Sequence, residues 1–228
     1  MEKLVTANKD LSMFVLDTSA FRRLFEVKLD NDESVLLKLL DICELYMPVE
    51  VKDEISDDLK AAEFACSGKE KDEIGMILKN TRNLSFPEIE KECYRVLKGT
   101  DPKFQALQKA DKQCVSLSLQ LSRHEKYRFR SICLITDDTE LFDIAQGVLR
   151  RQFIGNVYFS FQILVFLFVR RILRMTKFNL VNLLTSIQAS YKKPEKANEV
   201  RELIEDVRKN ICPYGCDHHS KCPFFSSF

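Results

Sequence analysis

Apolar residues along this chain follow two patterns: short unbroken runs that stop at an acid, and longer stretches that repeat at helical spacing. Met13-Phe14-Val15-Leu16 is the first run, stopped by Asp17-Thr18-Ser19, and it predicts a short buried strand whose Asp or Ser can also cap a following helix. Ile132 to Thr136 is the second run, ending at Asp137 and Asp138. Helical spacing recurs between them. Val35, Leu36, Leu39, Leu40 and Ile42 predict a helix over 33–45, and Tyr46-Met47-Pro48-Val49 suits the end of a strand, with Pro48 tolerated in the first turn of the next helix. Val51, Ile55, Leu59, Ala62 and Ala65 predict that helix over 51–66, closed by Gly68 and carrying Glu54 near its first turn.

Residues 69–99 are charged and helical, broken at 83–88, where Ser85 and Glu88 form a capping-box signature; the stretch predicts an inserted helical pair at about 69–103. The next stretch, 104–121, carries Asp111 and places Val115, Leu117, Leu119 and Leu121 in alternation, but its length favours helix over strand. Leu141, Ile144, Ala145 and Val148 predict another helix. Residues 153–169 are the most apolar of all. At seventeen residues they fall short of the roughly twenty that span a bilayer, and Gly155, Asn156, Ser160 and Gln162 divide them into a strand over 156–159 and a helix capped by Ser160. No stable membrane insertion is expected. Arg170, Arg171, Arg174 and Lys177 are expected to follow on that helix as a solvated face rather than a phosphate-binding patch.

Short strands alternating with helices predict an α/β protein, a three-layer α/β/α sandwich around a mostly parallel sheet. Ligands bind such sheets at the carboxyl ends of strands, where Asp17 and the Asp137-Asp138 pair fall. The expected division is a main domain over 1–175, a helical extension over 176–210 and a tail over 211–228.

With 228 residues and 45% hydrophobic content the chain can bury one sizeable core. Lys plus Arg number 35 against 34 acids, so net charge gives no support for a nucleic-acid partner, and local patches must carry that argument. The polar first ten residues lack a signal-peptide pattern, and an intracellular, cytoplasmic protein is expected. Five of the eight cysteines, Cys43, Cys66, Cys93, Cys114 and Cys133, lie in apolar-periodic segments as reduced core residues. The other three share the last seventeen residues with two histidines. In Cys212-x3-Cys216-x-His218-His219-x2-Cys222, three thiolates and one of two imidazoles suit a structural, tetrahedral Zn²⁺, with a disulfide as the competing use.

The acids at element ends bear most on function. A carboxylate beside an apolar run is costly unless water, a donor or a cation meets it, and a shared divalent metal would account for Asp17, Glu54, Asp111 and Asp138 together. Each also has a plainer reading: Asp17 and Asp138 as helix caps, Glu54 as a first-turn acid favoured by the helix dipole, and Asp111 as a partner of Lys109 or Lys112. Glu50, Asp53 and Asp143 read as ordinary solvated charges.

The blocks Phe14-Val15-Leu16-Asp17-Thr18-Ser19-Ala20-Phe21, Met47-Pro48-Val49-Glu50-Val51-Lys52-Asp53-Glu54-Ile55, Lys109-Ala110-Asp111 and Leu134-Ile135-Thr136-Asp137-Asp138-Thr139-Glu140-Leu141 occur in the order of the PIN-domain nuclease family, which this chain resembles over about residues 13–160. Its wording is most similar to archaeal and ribosome-maturation branches. The resemblance implies a PIN-like fold and hydrolysis of RNA, single-stranded or structured, with Mg²⁺ or Mn²⁺ lowering the pKa of a water. It implies that Asp17, Asp111 and Asp138 hold the metal with Asp137 beside them, and that Glu54 binds a second ion or orients the attacking water. Thr18, Ser19 and Thr136 would donate hydrogen bonds to the ligating acids. The helical insert and the tail depart from a minimal domain and are the expected places for a protein partner. A non-catalytic PIN-like scaffold is the competing account, and oligomeric state, a homodimer included, is left open.

Overall fold

In the computed structural model, which describes residues 12–29, 32–61, 67–83, 87–100, 102–127, 130–173 and 175–209, the strands are β1 (Ser12–Leu16), β2 (Glu44–Tyr46), β3 (Ser131–Ile135) and β4 (Gly155–Tyr158). They form one all-parallel sheet in the order β2-β1-β3-β4. Met13 through Leu16 and Ile132 through Ile135 are almost wholly buried. Strands buried on both faces read as continuous apolar runs, which is why these two central strands are legible without alternation. Parallel neighbours need crossovers, and helices supply them. The protein is therefore α/β, with an architecture compatible with a three-layer sandwich.

Between β1 and β2 lie α1 (Thr18–Glu26) and α2 (Val35–Ile42). Then follow α3 (Val49–Lys60), α4 (Gly68–Asn80), α5 (Pro87–Thr100), a short 3₁₀ turn at Pro102–Gln105, and α6 (Lys109–Arg123) before β3. The helix α7 (Thr139–Arg151) joins β3 to β4, and α8 (Ser160–Val169), α9 (Lys177–Ser190) and α10 (Pro194–Arg208) complete the described chain. The chain divides into two compact units, the first from β1 to Arg22 and from Leu36 to Phe159, the second Arg23–Val35 and the residues from Ser160 onward.

In the first unit α6 packs on β1 and β3, and α7 on β4. Residues 115–121 of α6 are all buried, serines and Gln120 included. Alternation there reflects a helix sunk on every side rather than a strand, and Ser118 meets this burial by donating its hydroxyl to the Cys114 carbonyl at 2.9 Å. In the second unit α9 and α10 pair through Leu180, Leu183, Leu184 and Ile187 on one helix and Val200, Ile204 and Val207 on the other, spacing that keeps one face apolar. Arg23 stacks over the Tyr191 ring at 4.3 Å, and Tyr191 meets Phe161 edge-on at 6.2 Å.

Four local expectations are corrected. The helix expected over 33–45 stops at Ile42, because Glu44–Tyr46 pair with β1. Gly68 does not close a helix; it begins α4, where Ser67 accepts from the Glu70 amide and Glu70 returns to the Ser67 amide in a full capping box. Glu54 lies in the second turn of α3, beyond the region where a helix dipole favours an acid. Arg170, Arg171 and Lys177 do not continue α8, which ends at Val169; Arg171 is left-handed (φ 56°) and Lys177 opens α9.

The helices α4 and α5 occupy the place of the expected insert. Cys43, Cys93, Cys114 and Cys133 are free and buried. Among the described residues no helix is long and apolar enough to cross a membrane. Cys66, Ser85, Arg174 and the tail set Cys212, Cys216, His218, His219 and Cys222 lie outside the described residues.

A candidate acidic site at the carboxyl edge of the sheet

The chain leaves β1 toward β2 on one side and leaves β3 toward β4 on the other, so the crevice between the ends of β1 and β3 is the topological switch point. Asp17 and Thr136 are the residues that follow those two strands. The pairing extends one step past them, with the Asp17 amide donating to the Ile135 carbonyl at 3.2 Å and the Thr136 amide to the Tyr158 carbonyl at 3.0 Å. Both side chains are thereby fixed by backbone.

Asp17 is only 3% exposed and its carboxylate is fully engaged. Oδ1 accepts from the Ala20 amide at 2.7 Å, which makes it the cap of α1, and Oδ2 accepts from Thr136 Oγ1 at 2.6 Å and Ser19 Oγ at 2.9 Å. Burial pushes its pKa up to about 7 against these three donors, with the Asp137 charge adding to the rise. Ser19 Oγ also accepts from the Asp137 amide at 2.8 Å, and Thr136 Oγ1 from the Asp138 amide at 3.0 Å. The two hydroxyls therefore tie the start of α1 to the loop after β3.

Asp138 caps α7, its Oδ1 accepting from the Leu141 amide at 2.8 Å, and the residue is otherwise exposed. Glu54 is brought to the same edge by α3, where Thr18 Oγ1 donates to its Oε2. Asp111 stands in the first turn of α6. Its pKa is raised to about 6, first by burial, then by the charges of Asp138 and Glu54. The Cys114 thiol, one turn along α6 and wholly buried, is pushed well above its ordinary range by burial and by Asp17, Asp111 and Glu54. Its Sγ lies 3.8 Å from the Leu16 carbonyl oxygen, directly before Asp17. The four acids thus act on one neighbourhood.

The cap readings of Asp17 and Asp138 both hold in the structure, alongside that convergence. Lys109 pairs with Glu50, not Asp111: its Nζ stands 2.7 Å from Glu50 Oε1. Glu50 was expected to be an ordinary solvated charge, yet its side chain is only 20% exposed and its Oε2 is buried without a hydrogen bond. Asp53 and Asp143 are exposed. The apolar periodicity around Cys114 predicts a core residue alone; its spacing of three from Asp111 on a helix is the signal that both face the same place.

The donor set at this edge is all oxygen, the kind that hard divalent cations take, and the raised pKa of Asp17 and of Asp111 is what burial and like charges produce where no cation compensates them. Among the described residues no three His, Cys, Asp or Glu side chains are gathered to hold one ion. No protein-family model, no curated protein and no solved structure matches the chain.

Proposed function

We propose that this chain is a PIN-type, divalent-metal-dependent endoribonuclease that hydrolyses RNA phosphodiester bonds at the acidic edge of its sheet, within the cytoplasm. The observation that carries this reading is that Asp17, Glu54, Asp111 and Asp138 come to the neighbourhood of the switch point, where their charges help to raise the pKa of Asp111 and of Cys114. Asp17, Asp111 and Asp138, with Asp137 beside them, would hold Mg²⁺ or Mn²⁺. The ion, when bound, supplies charge neutralisation at the scissile phosphate and an acidified water. Glu54, which accepts from Thr18, would hold a second ion or orient the attacking water. Ser19 and Thr136 keep the Asp17 carboxylate in one orientation, and their donated hydrogen bonds favour its charged form. Cys212, Cys216 and Cys222 with His218 or His219 would suit a structural zinc ion by ligand type and spacing, and this tail and the helices α4 and α5 would offer places for a protein partner.

A second reading has its own support. Both Asp17 and Asp138 use carboxylate oxygens on helix caps, and among the described residues no three of the acids stand close enough together to hold one ion. A PIN-like scaffold that binds RNA or protein without cutting would need no more. Purified protein with labelled RNA and Mn²⁺ or Mg²⁺ separates the two. The nuclease reading expects cleavage that EDTA abolishes and that Asp17→Asn lowers by two orders of magnitude or more. It is lost if cleavage is absent, or survives both EDTA and the substitution.

A further inference from the structure

At the opposite edge of the sheet, where β3 and β4 begin, a cleft of about 630 Å³ is lined by Arg130, Ser131, Arg150, Phe153 and Asn156 among others. It is remote from the acids, since β3 with its five residues at about 3.3 Å each separates the two edges by roughly 15 Å. Its volume falls in the range of small-molecule sites.

The rim of this cleft carries an uncommon residue. Helix α7 ends in a Schellman motif, in which the Phe153 amide donates to the Arg150 carbonyl at 3.1 Å and the Ile154 amide to the Leu149 carbonyl at 3.2 Å. The left-handed position of that motif ordinarily takes glycine, and here Phe153 occupies it at φ 54°. Its ring gains nothing from burial, because the residue is 96% exposed. A β-carbon in a left-handed turn works against the folded state, and a ring so exposed contributes no burial to offset it.

The polar side chains of the lining differ in their freedom. Arg130 is held by Glu44 at 2.8 Å, a carboxylate that also pairs with Arg82 at 3.0 Å. Arg150 is exposed and stands in the last turn of α7, two of whose final carbonyls are already taken by the Schellman bonds. Asn156 and Ser131 are exposed as well, and together they offer an amide with both donor and acceptor and a hydroxyl that can be either. An exposed ring, a cation, an amide and a hydroxyl on one cleft are the set that binds a nucleotide: a π-face for the base, hydrogen bonds for its edge and positive charge for its phosphate.

We propose that this cleft is a nucleotide-binding site, with a base stacked on Phe153, its edge met by Asn156 and Ser131, and its phosphate met by Arg150. The site stands apart from the acidic edge and does not require that edge to cut RNA. The nucleotide comes either free or as one unit of a single-stranded RNA.

The full-length chain in EDTA, where metal-dependent cleavage is silent, is titrated with AMP and with a fluorescein-labelled RNA hexamer of adenylates. Binding of AMP alone or of both probes identifies a site for the free nucleotide; binding of the hexamer only identifies a subsite for a strand. In either case Phe153→Gly is expected to weaken binding by tenfold or more while its thermal midpoint stays level or rises, because glycine relieves the left-handed turn. Arg150→Gln is expected to weaken binding and to reduce the dependence of log K on log salt by about one. The proposal is overturned if neither probe binds. It is equally overturned if both variants bind as the wild type does, or if Phe153→Gly lowers the thermal midpoint and so marks Phe153 as a structural residue.

Discussion

Thr136 donates its hydroxyl proton to Asp17 across 2.6 Å while accepting the Asp138 amide at 3.0 Å. One buried side chain thus sets the orientation of the carboxylate after β1 and the start of the helix after β3. The two central strands are coupled by more than their ladder, and the acids they deliver are held in a common frame.

Burial of Asp17 makes stability depend on pH. Its carboxyl is raised from 3.8 to about 7 in the folded chain, a difference that corresponds to roughly 4 kcal/mol. Between those values the folded chain keeps a proton that the unfolded chain has released. This contribution is therefore present below about pH 4, is lost as pH rises to about 7, and changes no further above it. In Asp17→Asn the fall should shrink to what Asp111 contributes in the same direction. Urea midpoints at pH 5 and pH 8 measure both slopes; equal slopes in the two proteins would count against the buried carboxylate.

The acids should report on one another. Asp138 is the largest of the three charges raising Asp111, followed by Glu54 and Glu140, so Asp138→Asn is expected to lower the Asp111 pKa from about 6 and Glu54→Gln to lower it by less. Asparagine also caps helices, so the first substitution spares the start of α7. Carbon-13 titration of the Asp111 carboxyl reads the effect. An unchanged midpoint in both variants means that the three acids do not share a site.

Strand β4 depends on the absence of a side chain at its first residue. A β-carbon on Gly155 would overlap the Ile132 carbonyl oxygen and carbon, which are backbone in the paired strand and cannot swing aside. Gly155→Ala is expected to cost about 3 kcal/mol, at the upper end of ordinary overpacking, and chemical denaturation tests it. A loss under about 0.5 kcal/mol would show that the strands separate at this point with ease.

The central strands and most helices were legible because their patterns are long or unbroken. Met13 to Leu16 and Ile132 to Ile135 are buried on both faces, and Val51 and Ile55 mark the inner face of α3. Strand β2 was obscured by its length of three residues, short enough for Leu45 to pass as the last apolar position of the helix before it. Gly68 misled because glycine is tolerated at both ends of a helix; the deciding signal, Ser67 three residues before Glu70, was present and is a hydrogen-bond pattern rather than a periodicity. The acids of the site were visible one by one, but their shared environment was not. That depends on two hydroxyls, Ser19 and Thr136, choosing partners across the sheet. The cleft at the other edge was invisible for a similar reason, since the left-handed turn at Phe153 carries no glycine to announce it.

The hydrogen bond between Thr136 and Asp17 closes a loop of 119 positions. Closing so long a segment costs roughly 4 kcal/mol of chain entropy before any contact repays it, and pairings of this kind form late. A ribosome must therefore deliver more than half of the polypeptide before β3 can dock beside β1, and only then do the acids come together. During synthesis the chain carries its acidic residues in separate pieces, and it acquires the assembled edge only when the sheet closes.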